Sequence, residues 1–180
     1  DNTLKEATRL GCEVVQIFMK NPRSWKEKRW REDELEKFAA LKSALQVYAH
    51  LSYLPNIART DEDPRHLEGL LHEASLATEL GVESLIIHCG SHGDPEKGVR
   101  VAARTIDRAL EGHDLSILLE NAAGQGSTLG RDIPSLGRIY KAVVQKERVS
   151  LCLDTAHIYQ SGYDIRQWKT WVRIVQEIDE

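Results

Sequence analysis

Short apolar runs alternate with amphipathic segments, the connections between them are short, and four successive runs end on a titratable residue. Together these observations predict an α/β protein whose parallel sheet forms part of a (β/α)8 barrel. The runs are Val14–Phe18, Val47–Ala49, Leu85–Ile87, Leu115–Leu119 and Val149–Leu153. Most are apolar at both parities, as strands buried on both faces of a sheet should be. Between them, Leu35, Phe38, Leu41 and Leu45 keep helical spacing, as do Leu67, Leu70, Leu71, Ala74 and Leu80 before Gly81. Further stripes are Val99, Ala102, Ala103, Ile106 and Leu110 before Gly112; Ile133, Leu136, Ile139 and Val143; and Trp168, Trp171, Val172 and Val175. Alternation alone fits a doubly wound sheet equally well. The run ends decide: His50, His88, Glu120 and Asp154 follow one another at separations of 38, 32 and 34 residues. All strand ends of a barrel converge on one mouth, whereas in a doubly wound sheet only those beside the switch point do. Five strands are counted where a barrel has eight, so residues 1–180 predict a single, partial barrel domain.

Composition narrows the classes. A chain of 180 residues can bury roughly 70% of its unfolded surface, and 41% hydrophobic with 29% charged residues excludes wholesale disorder. The 24 basic and 28 acidic residues give a net charge of −4, against nucleic-acid binding by overall basicity while leaving room for a local basic patch. No apolar run approaches the roughly 18 residues that span a bilayer, and the opening residues Asp1–Glu6 lack a signal-peptide pattern, so no membrane partner is expected. Three cysteines (Cys12, Cys89 and Cys152) without a Cys-x-x-Cys pair predict a reducing, cytoplasmic setting and neither a disulfide framework nor a thiolate zinc knuckle.

Two histidines and two carboxylates on one rim form a ligand set that zinc or manganese accepts. His50 by itself also reads as a hydrogen-bonded core histidine. Glu120 and Asp154 are harder to dismiss, because a carboxylate ending an apolar strand needs a partner or a metal. His157, three residues after Asp154, joins them. In His88-Cys89-Gly90-Ser91-His92, His88 is the better ligand and His92 a loop hydrogen-bonder; Cys89 reads as a small buried residue more readily than as a thiolate. Gly124-Gln125-Gly126 reads equally as a phosphate cradle or as a tight βα turn needing positive φ. Residues 20–31 hold six basic side chains and one acid, a local +5 on the same rim, which suits a polyanionic substrate or is a solvated helix start. Trp25 and Trp30 within it would stack on bases or anchor the segment.

Five motifs, in order, resemble the endonuclease IV family, the zinc-dependent AP endonucleases of TIM-barrel fold. They are Gln16–Trp25, His50–Leu54, His88–His92, Glu120–Gly126, and Asp154–His157 followed by Gly162-Tyr163-Asp164. The resemblance runs along essentially the whole chain and implies strands two to six of eight. It lacks the first strand and the last two, and with them two histidines, an aspartate and a glutamate of the family's zinc sites. Smaller departures are Cys89 for the usual Pro, Ala122 for the usual Thr and Ala156 where Cys is common.

By this resemblance the partner is double-stranded DNA containing abasic sites and the complete protein is a monomer. The reaction is hydrolysis of the phosphodiester 5′ to an abasic nucleotide, with trimming of blocked 3′ ends in base excision repair. Three zinc ions are implied for the complete protein. His50 and His88 would bind the first, Glu120 would bridge it to the second as the catalytic carboxylate, Asp154 would bind the second and His157 the third. That count leaves about one well-liganded zinc site in these 180 residues, and little cleavage from them alone. Arg23 and Tyr53 match residues that enter the DNA. The chemistry is coherent: closely spaced zinc ions provide a nucleophile at neutral pH and stabilise the leaving oxyanion, and a nucleotide without a base loses little stacking when flipped out. Two other readings compete. One is a divalent-metal sugar isomerase or epimerase on a related barrel, which has no use for the basic arm. The other is a catalytically incompetent DNA-binding fragment.

Overall fold

The computed structural model describes residues 2–179. In chain order the elements are α1 (Asn2–Arg9), β1 (Val14–Phe18), α2 (Glu32–Lys42), β2 (Gln46–His50), α3 (Pro64–Glu79), β3 (Ser84–His88), α4 (Pro95–Gly112), β4 (Ser116–Glu120), α5 (Ile133–Ala142), β5 (Val149–Cys152), α6 (Thr155–Gln160) and α7 (Trp168–Asp179). The strands pair in parallel in the order β1-β2-β3-β4-β5. No strand order reverses, so there is no switch point of the doubly wound kind. This is the sequential βα arrangement of a TIM barrel, present as five strands.

Helix starts follow from local chemistry. Asp63, Asp94 and Asp132 each accept a backbone N–H of the helix they precede, and each is followed within two residues by a proline in the first turn. Gly81, at φ +62°, takes the left-handed turn that ends α3 and leads into β3. Arg148 closes the far end of α4: its guanidinium donates to the carbonyls of Leu110 (2.7 Å), Leu115 (2.7 Å) and His113.

One strand parity packs under the helices. Val47, Ala49, Leu85, Ile87, Ile117, Leu119 and Val149 are buried against Leu70, Ala74, Ala102, Ile106, Leu136 and Ile139. The opposite parity lines the concave face in layers. Phe18, His50, Ile86, Leu118 and Ser150 stand side by side, and His88, Glu120 and Cys152 form the next layer toward the strand ends.

Three sequence expectations are corrected. Burial at both parities holds for β3, but Val14 and Phe18 of β1 and Ser150 of β5 are exposed, because no described element covers the concave face at those edges. The stripe Trp168–Trp171–Val172–Val175 is not the buried face of α7. Ile174 and Trp171 pack into a small cluster with Ile133, Ile158 and Tyr163, while Trp168, Val172 and Val175 stay exposed. The fifth strand also ends at Cys152, so Asp154 lies beyond it as the N-cap of α6.

Candidate metal centre

Strand register brings the candidates together from distant parts of the chain. His50, His88 and Glu120 end β2, β3 and β4, and all three belong to the concave parity. Asp154 and His157 arrive one strand later on the first turn of α6. Their ligand atoms form two groups, His50–His88–Glu120 and Glu120–Asp154–His157, each with all atoms within 4.8 Å of one another.

Glu120 belongs to both, and its two oxygens face different neighbours. Oε2 lies 2.7 Å from His50 Nε2 and 3.6 Å from His88 Nε2, while Oε1 lies 3.6 Å from His157 Nδ1. The separation between His157 Nδ1 and Asp154 Oδ2 is 3.7 Å. Ligands about 2.1 Å from a tetrahedral zinc stand roughly 3.4 Å apart; the 3.6 Å between His88 Nε2 and Glu120 Oε2 is close to that value, whereas His50 and Glu120, at 2.7 Å, are joined by a direct hydrogen bond. The donor chemistry fits too: imidazole nitrogens with carboxylate oxygens, without thiolate. His157 falls into the group of Asp154 and Glu120, so the second position has three candidate ligands where matching motif by motif gave it two.

The surroundings orient these side chains. His50 Nδ1 donates to the Leu51 carbonyl at 2.7 Å, which aims Nε2 at Glu120. Burial works against charge on His50, but its hydrogen bonds to Glu120 and Leu51 prevail and hold its pKa above the usual histidine value. Burial pushes His88 the other way, aided by His50 and His157 and opposed by Glu120, which favours the neutral, metal-binding imidazole.

Sequence reasoning missed Asn121. Buried directly after Glu120, its amide accepts from the Asp154 N–H (2.7 Å) and donates to the Asp154 carbonyl (3.3 Å). Its own backbone carbonyl accepts from His157 Nδ1 (3.0 Å), and the Asp154 carboxylate accepts the His157 N–H (2.8 Å). One residue thus ties β4 to the loop carrying both later candidates.

The nearby residues sort themselves. His92 is buried with its ring nitrogens against the Asp94 carbonyl (2.6 Å) and Glu62 (3.1 Å), outside both groups. Cys89 is buried and its thiol is pushed up to about 12, by burial first and the Glu120 charge second, so a thiolate does not form there at neutral pH. Gly124 and Gly126 have φ of +84° and +57°, as a tight βα turn requires. Gly124 and Gln125 also line a cleft of about 330 Å³ with Ser52, Tyr53, His88 and His157.

The basic arm is less charged at its surface than its composition gives. Lys20 is buried beside Glu73 at 3.7 Å, Lys28 pairs with Glu34 at 3.1 Å, and Arg31 pairs with Asp33 at 3.0 Å. Among the described residues, Arg23, Lys26 and Arg29 remain exposed without an ion pair. Trp30 packs against the core. Trp25, partly exposed, leans on His66 of α3 at a ring separation of 5.8 Å, and a Cβ on Gly69 would come within 3.2 Å of it. Both tryptophans therefore anchor the arm. Tyr53 is exposed, its ring edge-on to Phe18 (5.2 Å) and 6.5 Å from His50, and its N–H donates to the Pro22 carbonyl at 2.9 Å. That bond sets Tyr53 next to the Arg23 turn at the edge of the cluster.

Sequential parallel strands with titratable side chains gathered at their carboxyl ends, and two candidate ligand groups sharing one carboxylate, define a TIM-barrel protein with a candidate metal centre. The chain belongs to the xylose isomerase-like TIM-barrel family, whose sequence model matches residues 4–179. Within it the chain is a member of the endonuclease IV group. It is 34% identical to a protein named "Probable endonuclease 4" from Nitratidesulfovibrio vulgaris strain Hildenborough, over 99% of this chain and 66% of that one. A protein of the same name from Methanoculleus marisnigri is also 34% identical, over 100% of this chain and 67% of the other. Endonuclease IV from Thermus thermophilus superposes with a TM-score of 0.82 at 32% identity, covering 99% of this chain and 65% of that structure. The chain spans about two thirds of the length of the curated relatives it matches. No helix among the described residues is long and apolar enough to cross a membrane.

Proposed function

We propose that this chain supplies much of the active site of a zinc-dependent endonuclease that hydrolyses the phosphodiester 5′ to abasic sites and trims blocked 3′ ends. The observation that carries the reading is Glu120, whose two oxygens face two separate groups of nitrogen and oxygen donors beneath a rim bearing Arg23 and Tyr53. His50, His88 and Glu120 would hold one ion, and Glu120, Asp154 and His157 a second. Zinc bound there supplies Lewis-acid polarisation of the phosphate and a nucleophile at neutral pH.

The chain's own residues do the rest. Glu120 fixes the spacing of the two groups, and Asn121 holds Asp154 and His157 against it. Arg23, with Lys26 and Arg29, meets backbone phosphates, and the Tyr53 ring stands where an abasic gap admits an aromatic wedge. The arm of three exposed cations favours DNA over a small sugar as substrate. DNA repair in a cytoplasmic setting, by a protein that is monomeric when complete, is the corresponding role.

The test is cleavage of a duplex carrying one abasic site by the full-length protein, with and without a chelator. Single-strand scission 5′ to the lesion, lost on chelation and restored by zinc, is the expected result. Thermal protection by a ketose with no cleavage of the duplex would overturn the reading in favour of sugar chemistry.

A further inference from the structure

Glu73 is a buried acid that the chemistry above does not use. It lies on α3, fully enclosed, and its carboxylate meets three polar groups of two residues on two different loops. It accepts the Ser52 N–H at 3.0 Å and the Ser52 hydroxyl, and it sits 3.7 Å from Lys20 Nζ. Lys20 in turn donates to the Ser24 carbonyl at 2.5 Å, closing the turn that carries Arg23. Ser52 immediately precedes Tyr53, whose N–H reaches back to Pro22. Further along the same face of α3, His72 accepts the Lys28 N–H at 3.1 Å, and His66 and Gly69 seat Trp25. The basic arm therefore lies along one face of α3, with Glu73 at its inner end.

An ion pair this deep adds little net stability, since desolvation offsets the attraction, but it does hold two chain segments in one arrangement. We propose that Glu73 is a positioning residue that sets the Arg23 turn and the Tyr53 loop in register above the candidate metal centre, and thereby governs discrimination between abasic and intact DNA. The inference rests on the abasic-DNA reading for its second half only. Charge on Lys20 serves as a clamp rather than as a phosphate contact, because its ammonium is enclosed.

The test uses the full-length protein and the variants Glu73→Gln and Ser52→Ala. Three quantities are read: amide hydrogen exchange at Ser52 and Tyr53, the ratio of affinities for an abasic and an intact duplex at fixed salt, and bound metal. Glu73→Gln should speed exchange at Ser52 and Tyr53 about tenfold and lower the affinity ratio about tenfold, with metal content unchanged. Ser52→Ala leaves the ion pair in place and should move the first two quantities in the same direction by less; it carries the test if Glu73→Gln does not fold. A lowered melting temperature with exchange and affinity ratio unchanged would mean a purely structural role and overturn the proposal. If the unaltered protein binds both duplexes equally, the abasic-DNA reading fails and the discrimination half falls with it. Faster exchange in Glu73→Gln would then still establish the mechanical link.

Discussion

Glu120 stands among three imidazoles, hydrogen-bonded to that of His50 and 3.6 Å from those of His88 and His157. Replacing it with Gln keeps the shape and removes the anion that both ligand groups share. In the full-length protein, Glu120→Gln or His88→Ala should lower abasic-site cleavage by roughly 10²–10³-fold or more while leaving far-ultraviolet circular dichroism intact; wild-type rates in either would remove these residues from the site. His92→Ala should be milder, since its ring bonds only to loop atoms and Glu62. Asn121→Ala removes both side-chain bonds to Asp154 and should weaken metal binding by about 10–100-fold, read by competition with a chromophoric chelator. Cysteine chemistry offers a check independent of activity. At pH 8 the exposed Cys12 should react readily with a thiol reagent, while Cys89, its thiol pushed up to about 12, should stay unmodified until the chain unfolds.

Among elements, the α5–β5 connection depends on polar anchors. Asp107 accepts the N–H groups of Val144 (3.1 Å) and Gln145 (3.0 Å), and Arg148 donates to three carbonyls between the last turn of α4 and the start of β4. Arg148→Met should cost about 2 kcal/mol in urea unfolding, because carbonyls bonded to a cation lose their partner. The five strands were legible from their apolar runs, and the candidates His50, His88 and Glu120 from the ends of those runs; Asp154 was read as a run end but lies beyond β5 as the N-cap of α6. His157 was legible only from its spacing to Asp154. The face of α7 was not, because its apolar residues satisfy two helical stripes, one through Trp168, Val172 and Val175 and one through Trp171 and Ile174, and periodicity alone cannot choose between them. Asn121 and Glu73 escaped because their partners lie 33 and 21 residues away on other elements. A hint was present in each: Asn121 follows a strand-end carboxylate, and Glu73 sits within the apolar stripe of α3, between Leu70 and Ala74. The charge of the basic arm was overread because composition cannot reveal that Lys20 folds inward.

For the whole molecule, the concave face is the exposed liability. Val14 and Phe18 are 52% and 36% exposed there, and neither β1 nor β5 has an outer strand partner among the described residues. An open edge beside an apolar face favours pairing between copies. The 180-residue chain should therefore show mass rising with concentration in light scattering and should bind an apolar fluorescent dye; a dye-negative monomer at high concentration would contradict this.

Chain-order pairing of the strands also bears on how the molecule assembles during synthesis. Each described strand pairs with the one made just before it, 32 to 38 residues earlier, so the loops to be closed are of nearly equal length and carry a similar entropic cost at each step. The emerging chain can add one βα unit at a time to a waiting edge, without storing an unpaired strand until a distant partner appears. The candidate metal groups mature in the same sequence: His50, His88 and Glu120 are in place once β4 docks, and Asp154 and His157 follow with α6. A nascent chain released after residue 145 would carry the first group complete and lack the second.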